Sequence, residues 1–309
     1  MNFTSKLNKL KQVIRNWAEY HGSRQAEQSE SIKLMLGRLL TAGITGIDAP
    51  KSLHELEFKV FSQCGDDGII QWLVNKVDFP SKTFIEFGVE DYTEANTRFL
   101  LMNNNWSGLI IDGSATNIEQ VKSRDYYWRH QLTAISAFVD RDNINGLISN
   151  AGLTGEVGIL HIDIDGNDYW IWESISVVHP VLVIVEYNSV FGAERSISVP
   201  YDAGFVRNEK HYSNLYFGAS LKAFTWLAKK KGYTLLGSNS AGNNAYFLRD
   251  DHMREGIPSV TPKDGYVCSR FRESRNPDGA LTFLSGGDRL RLIAGLPVCN
   301  VETGQLEEI

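Results

Sequence analysis

The chain has 309 residues, 42% of them hydrophobic, which suits one large globular domain with extensions. A net charge of −6 disfavours a nucleic-acid partner. Cys64, Cys268 and Cys299 match no metal or disulfide spacing, and no apolar run reaches membrane-spanning length or forms a signal-peptide core; a reducing, cytoplasmic setting without a membrane span is expected.

Residues 1–55 read as an N-terminal helical extension. Leu7, Leu10, Val13, Ile14 and Trp17 fall near helical spacing, and so do Ile32, Met35, Leu36, Leu39 and Leu40. Two amphipathic helices are expected, packing on the domain or on a second copy as a homodimer. Ile69, Ile70, Leu73 and Val77 then form the stripe of a helix in Phe61 to Val77. Its polar start places Gln63 and Asp66 near a bound cofactor, or serves as a cap whose acids favour the helix dipole.

Thr83 to Phe87 is an apolar run that stops at Gly88. Glu94 to Asn103 reads as a helix, and Gly108 to Ile111 as a second strand ending at Asp112. Continuous apolar runs are what strands buried on both faces look like, and parallel sheets bind ligands beyond their carboxyl ends. That edge carries Glu86, Glu90, Asp91 and Asp112. A dinucleotide fingerprint would use several glycines there to approach a pyrophosphate. Here one glycine is followed by acids, which repel a diphosphate. They suit S-adenosylmethionine (SAM), with its sulfonium, ammonium and ribose diol. Asp112 is the candidate for the ribose, with Glu86, Gly88 and Glu90 on the methionine side.

A helix is expected over Asn117 to Arg124, a third strand over Leu132 to Val139 and a helix over Asn143 to Asn150. Asp140 either meets the adenine or caps that helix. Val157 to Ile162 is a fourth buried strand and Pro180 to Val185 a fifth. They end in Asp163 and Asp165, and in Glu186 and Asn188. These four are hard oxygen ligands suited to Mg²⁺ or another divalent cation. Without a metal, the crowded carboxylates supply a general base, because each raises its neighbours' pKa. Asp163, beside the expected sulfonium, also counts as a cofactor contact. Ser189 to Gly218 is long, polar and aromatic, as a binding lid would be. His211 within it is a second candidate base.

The ordered pieces IEFGVED, GLIIDGS, HIDIDGNDYWIW and PVLVIVEYN, preceded by SQCGDDGI, resemble class I SAM-dependent methyltransferases, and within them the FkbM-like group. The resemblance covers about residues 60–250. It implies an α/β, Rossmann-like, doubly wound and mostly parallel sheet of seven strands. Tyr233 to Ser238 and Asn244 to Arg249 would be its antiparallel terminal pair. The division expected is an extension over 1–55, a SAM-binding domain over 56–250 and a C-terminal extension over 251–309 packed on the domain. The implied activity is O-methylation of a sugar, glycan or secondary metabolite, with a small molecule, sugar or nucleotide sugar as acceptor. Two alternatives stand beside it: an inactive SAM-binding interaction module, and an NAD-linked oxidoreductase, against which the acidic turn argues.

Overall fold

The computed structural model describes residue 25 and residues 28–309. The first expected amphipathic helix, Leu7 to Trp17, lies outside the described residues. Helix α1 occupies residues 28–45. Its expected stripe does not pack: Ile32, Met35, Leu36, Leu39 and Leu40 are all exposed. The face that docks is smaller and carries Leu34, Gly37 and Ile44, set against Phe58, Val60, Phe61 and Phe99. Glycine at position 37 lets the helix approach; a Cβ there would meet the Phe99 ring at 2.6 Å.

Seven strands form the central sheet, in the order β3-β2-β1-β4-β5-β8-β7. They are β1 (Thr83–Phe87), β2 (Ser107–Asp112), β3 (Leu132–Ser136), β4 (Gly155–Ile162), β5 (Val178–Glu186), β7 (Tyr233–Ser238) and β8 (Asn244–Arg249). The first five are parallel, and β8 runs antiparallel between β5 and β7. This is the Rossmann-like arrangement expected, including the antiparallel terminal pair.

Side chains alternate across each strand, so both faces must be covered. Phe84 and Ile110 point to a core shared with Trp72 and Leu73 of α2 (Asp66–Lys76), Leu100 and Leu101 of α3 (Arg98–Asn104), Ile118 of α4 (Ala115–Ser123) and Tyr126 of α5 (Asp125–Arg129). Ile85, Phe87, Leu109 and Ile111 point to the other. That core holds Ile144 and Ile148 of α6 (Ile144–Asn150), Trp172 of α7 (Asp168–Ser174) and Phe224 of α9 (Leu221–Lys231).

Asp67 anchors the turn before α2. Its Oδ2 accepts the amides of Val60, Phe61 and Ser62 at 2.7–2.8 Å, and the Ser62 hydroxyl at 2.8 Å. Asp67→Ala would leave these buried donors unpaired, each costing roughly 1–3 kcal/mol. A loss of about 3–5 kcal/mol in urea unfolding is expected. A wild-type midpoint would show that the turn holds itself.

The stretch between β5 and α9 is ordered. It contributes β6 (Ile197–Ser198) and the short helix α8 (Arg207–Lys210). β6 joins β9 (Pro297–Asn300) and β10 (Leu306–Glu308) of the C-terminal tail in a second, three-stranded sheet. Val199, Phe205, Phe217, Ile293 and Val298 fill a separate small core beneath it. No helix among the described residues is long and apolar enough to cross a membrane.

Candidate functional site

A cleft of about 520 Å³ opens at the carboxyl edge of β1, β2, β4 and β5. Gly88 makes its floor. Its φ is +71°, and a Cβ there would lie 1.6 Å from the carbonyl oxygen of Asp163. Only glycine lets the β1 turn pass this close to the end of β4.

Glu86, at the end of β1, faces the cleft but spends its carboxylate inside the protein. It accepts the amides of Asn96 at 2.8 Å and Thr97 at 3.1 Å, the Thr97 hydroxyl, and His161 Nδ1 at 2.9 Å. These bonds delay α3, which starts at Arg98 and not at the expected Glu94, because the carboxylate caps it from within the sheet. His161 sits on β4 under the cleft, with Nε2 3.1 Å from the Asn96 carboxamide. Burial opposes both charges, yet the Glu86–His161 contact outweighs it: Glu86 is held below and His161 above their ordinary pKa values. The two form a buried ion pair. Glu86 is thus a brace with few acceptors left for a ligand.

Asp112 ends β2 and lines the same cleft. Its Oδ2 accepts Glu90 N, and its Oδ1 accepts Ser114 N, each at 2.8 Å, while Asn117 Nδ2 donates to Oδ1 from 3.2 Å. The carboxylate ties the β1 turn to the start of α4 and keeps a free lone pair on Oδ2. Gln63 and Glu90 also line the cleft. Asp140 does not. Its Oδ1 accepts the amides of Asp142 and Asn143, so it caps the turn into α6. The strand stops four residues short of it, at Ser136. In its place the exposed ring of Phe138 lies on the cleft wall.

At the other end, Asp163, Asp165 and Glu186 each bring a carboxylate oxygen within 4.8 Å of the others. Asp168 shapes this turn: its two oxygens accept the amides of Ile164 at 2.8 Å and Gly166 at 2.9 Å. Asp165 is thereby held at φ +56° and swung over the cleft. Burial, then the charge of Asp165, pushes the Asp163 carboxyl up to about 7. Burial and then Asp163 push Glu186 well above the usual range. Glu186 Oε2 is buried and has no hydrogen-bond partner. Across the cleft, Arg207 of α8 pairs with Asp165 and lies 3.6 Å from the centre of the Phe217 ring. Burial works against its charge, but Glu186 and Asp165 outweigh burial and raise its pKa.

Two expected members are elsewhere. The Asn188 carboxamide is buried and held by three bonds, accepting Val190 N and donating to the carbonyls of Leu215 and Phe217. It holds the stretch between β5 and α9 and does not line the main cleft. His211 is bonded to the Ser213 hydroxyl at 2.7 Å and packs on Tyr212, away from the cleft; burial lowers its pKa. Sequence reading missed His161, Asn96, Phe138 and Glu273 as cleft residues. For His161 a signal existed: a titratable residue inside a buried strand, two positions before Asp163.

No family model and no curated protein matches this chain. Solved structures do. One is the N-terminal domain of EvdMO1 with SAH bound: 12% identical, covering 55% of this chain and 73% of that one, TM-score 0.37. Another is the CurJ carbon methyltransferase: 10% identical, covering 72% and 70%, TM-score 0.38. A third is a SAM dependent methyltransferase from Aquifex aeolicus: 10% identical, covering 67% and 97%, TM-score 0.35. Such scores are too low to carry chemistry across.

Proposed function

We propose that this chain is a class I methyltransferase of the FkbM-like kind, which moves the methyl group of SAM to a hydroxyl of a sugar, glycan or secondary metabolite. The supporting observation is one cleft with an acid at the end of β2 and three converging carboxylates at the ends of β4 and β5. Asp112 has the place and the free lone pair to accept a ribose hydroxyl. Phe138 offers a face for the adenine. The acidic end suits the sulfonium and the acceptor hydroxyl.

Methyl transfer is an in-line displacement, so alignment of donor and acceptor supplies much of the rate. The acceptor oxygen bonds to the methyl carbon as the carbon–sulfur bond breaks. The hydroxyl proton must leave, and Asp163, with its raised pKa, is placed to take it. The oxygen cluster also fits a divalent cation: its donors are hard, crowded and include an orphaned buried oxygen. Asp163, Asp165 and Glu186 would hold it. A bound ion would acidify the hydroxyl.

Calorimetry with SAM, its demethylated product and NAD tests the cofactor; binding of NAD alone would favour an oxidoreductase. Asp112→Ala should weaken SAM binding by about 1.5–3 kcal/mol, the scale of a hydrogen bond to a charged group. Unchanged affinity in a folded variant removes Asp112 from the site. Phe138→Ala should cost roughly 1–3 kcal/mol if the base stacks there, and an unaltered Kd would place the adenine elsewhere.

A further inference from the structure

Behind the acid cluster lies a second pocket of about 200 Å³, which shares Gln63, Glu186, Arg207, Asn243 and Glu273 with the main cleft. The C-terminal tail adds Ser269, Phe271, Arg272 and Arg289 to its wall. Arg289 is only 8% exposed. Its guanidinium makes no ion pair or hydrogen bond with any described residue, and Nε is buried without a partner. Burial pulls its pKa below the ordinary arginine value, as expected of a cation without a counter-charge. Arg272 is exposed at the rim, and its one side-chain bond among the described residues goes to the Phe283 carbonyl at 2.5 Å.

The acids nearby do not neutralise this pair. Glu273 Oε1 accepts Arg275 at 3.0 and 3.1 Å and Asn214 at 3.1 Å, and neither of its oxygens bonds Arg272 or Arg289. Arg207 is directed at Asp165 and Glu186. Charges taken out of water are normally paired, because desolvation is costly, and of this Arg289 guanidinium Nε is the nitrogen that is fully buried without a partner. The planar fork of a guanidinium matches a carboxylate or phosphate, which it can bind through two parallel hydrogen bonds.

We infer that this pocket binds an oxyanion carried by the acceptor, with Arg289 as its buried partner and Arg272 at the rim, so that the substrate class is an acidic sugar or metabolite. The inference rests on the methyltransferase reading for the word acceptor, and on Arg289 and its pocket for the anion. The pocket opens onto Glu186, so an anion seated there would hold a hydroxyl on the same molecule near the acid cluster. Arg289 and Arg272 would act in binding and not in the chemical step.

The test is titration of the full chain, saturated with SAH, with glucuronate, glucose 1-phosphate and glucose. At least one charged sugar should bind saturably and at least 10-fold more tightly than glucose; which one does so identifies the anion as carboxylate or phosphate. Arg289→Gln should lose at least 10-fold of that affinity, and Arg289→Lys should retain part of it. SAH affinity should be unchanged in both. If Arg289→Gln fails to fold, Arg272→Gln, at an exposed position, should still weaken the charged sugar about threefold and leave glucose unaffected. Equal binding of charged and neutral sugars overturns the subsite, as does failure of both charged sugars to bind. So does wild-type affinity in every folded variant. A chain that binds the charged sugar through Arg289 yet ignores SAH would keep the subsite and discard methyl transfer.

Discussion

Asp163→Asn is expected to abolish the chemistry while leaving the fold intact. The change keeps size and removes charge at the centre of the acid cluster. If Asp163 takes the hydroxyl proton, the rate should fall roughly 10²–10⁴-fold, the range for a positioned base. If a cation is held there, one of three carboxylate ligands is lost. Mn²⁺ binding, followed by electron paramagnetic resonance, should then weaken sharply without any need for the acceptor. Methyl release across a panel of hydroxyl acceptors supplies the second readout. EDTA separates the two versions: loss of turnover, restored by Mg²⁺ or Mn²⁺, supports the ion, and full activity in EDTA leaves the base alone. A variant that binds SAM, methylates at the wild-type rate and binds Mn²⁺ normally would make the cluster structural.

Gly88→Ala should strongly destabilise the protein through a single added methyl. Two penalties combine. A φ of +71° is left-handed, which costs an L-residue roughly 1–2 kcal/mol. The new Cβ would also sit 1.6 Å from the Asp163 carbonyl oxygen, and a backbone atom cannot rotate away. Overpacking of this kind costs roughly 1–3 kcal/mol or more. A loss of about 3–5 kcal/mol in urea unfolding is expected. Because β1 and β4 must separate to admit the methyl, Asp163 moves too, so Mn²⁺ and SAM binding should fall in whatever protein remains folded. A wild-type midpoint would mean that the two strand ends are not in contact.

The architecture was legible because it is local. Apolar runs in β1, β2, β4 and β5 announce strands covered on both faces, and Ile69, Ile70 and Leu73 announce a helix, since each pattern follows from the period of its own element. The terminal pair was expected from the family resemblance, and its strands, Tyr233–Ser238 and Asn244–Arg249, have the bounds expected. Acids at strand ends were visible for the same reason: in a parallel sheet, the position after the last buried residue is the functional edge.

What each acid does was decided only by tertiary contacts. Glu86 and Asp112 look alike in the sequence, yet one is consumed by His161 and the start of α3, and the other keeps a lone pair facing the cleft. Asp140 and Asn188 have suitable chemistry, but nearby amides and carbonyls claim them first. The exposed stripe of α1 shows that periodicity marks an apolar face without saying what covers it. Arg289 lies more than a hundred residues from Glu186 in the chain and reaches the shared pocket only because the tail packs beside the lid. Sequence spacing carries the period of a helix or strand. It does not carry the pairing of side chains across the fold, and that pairing decides which groups remain free to bind a ligand.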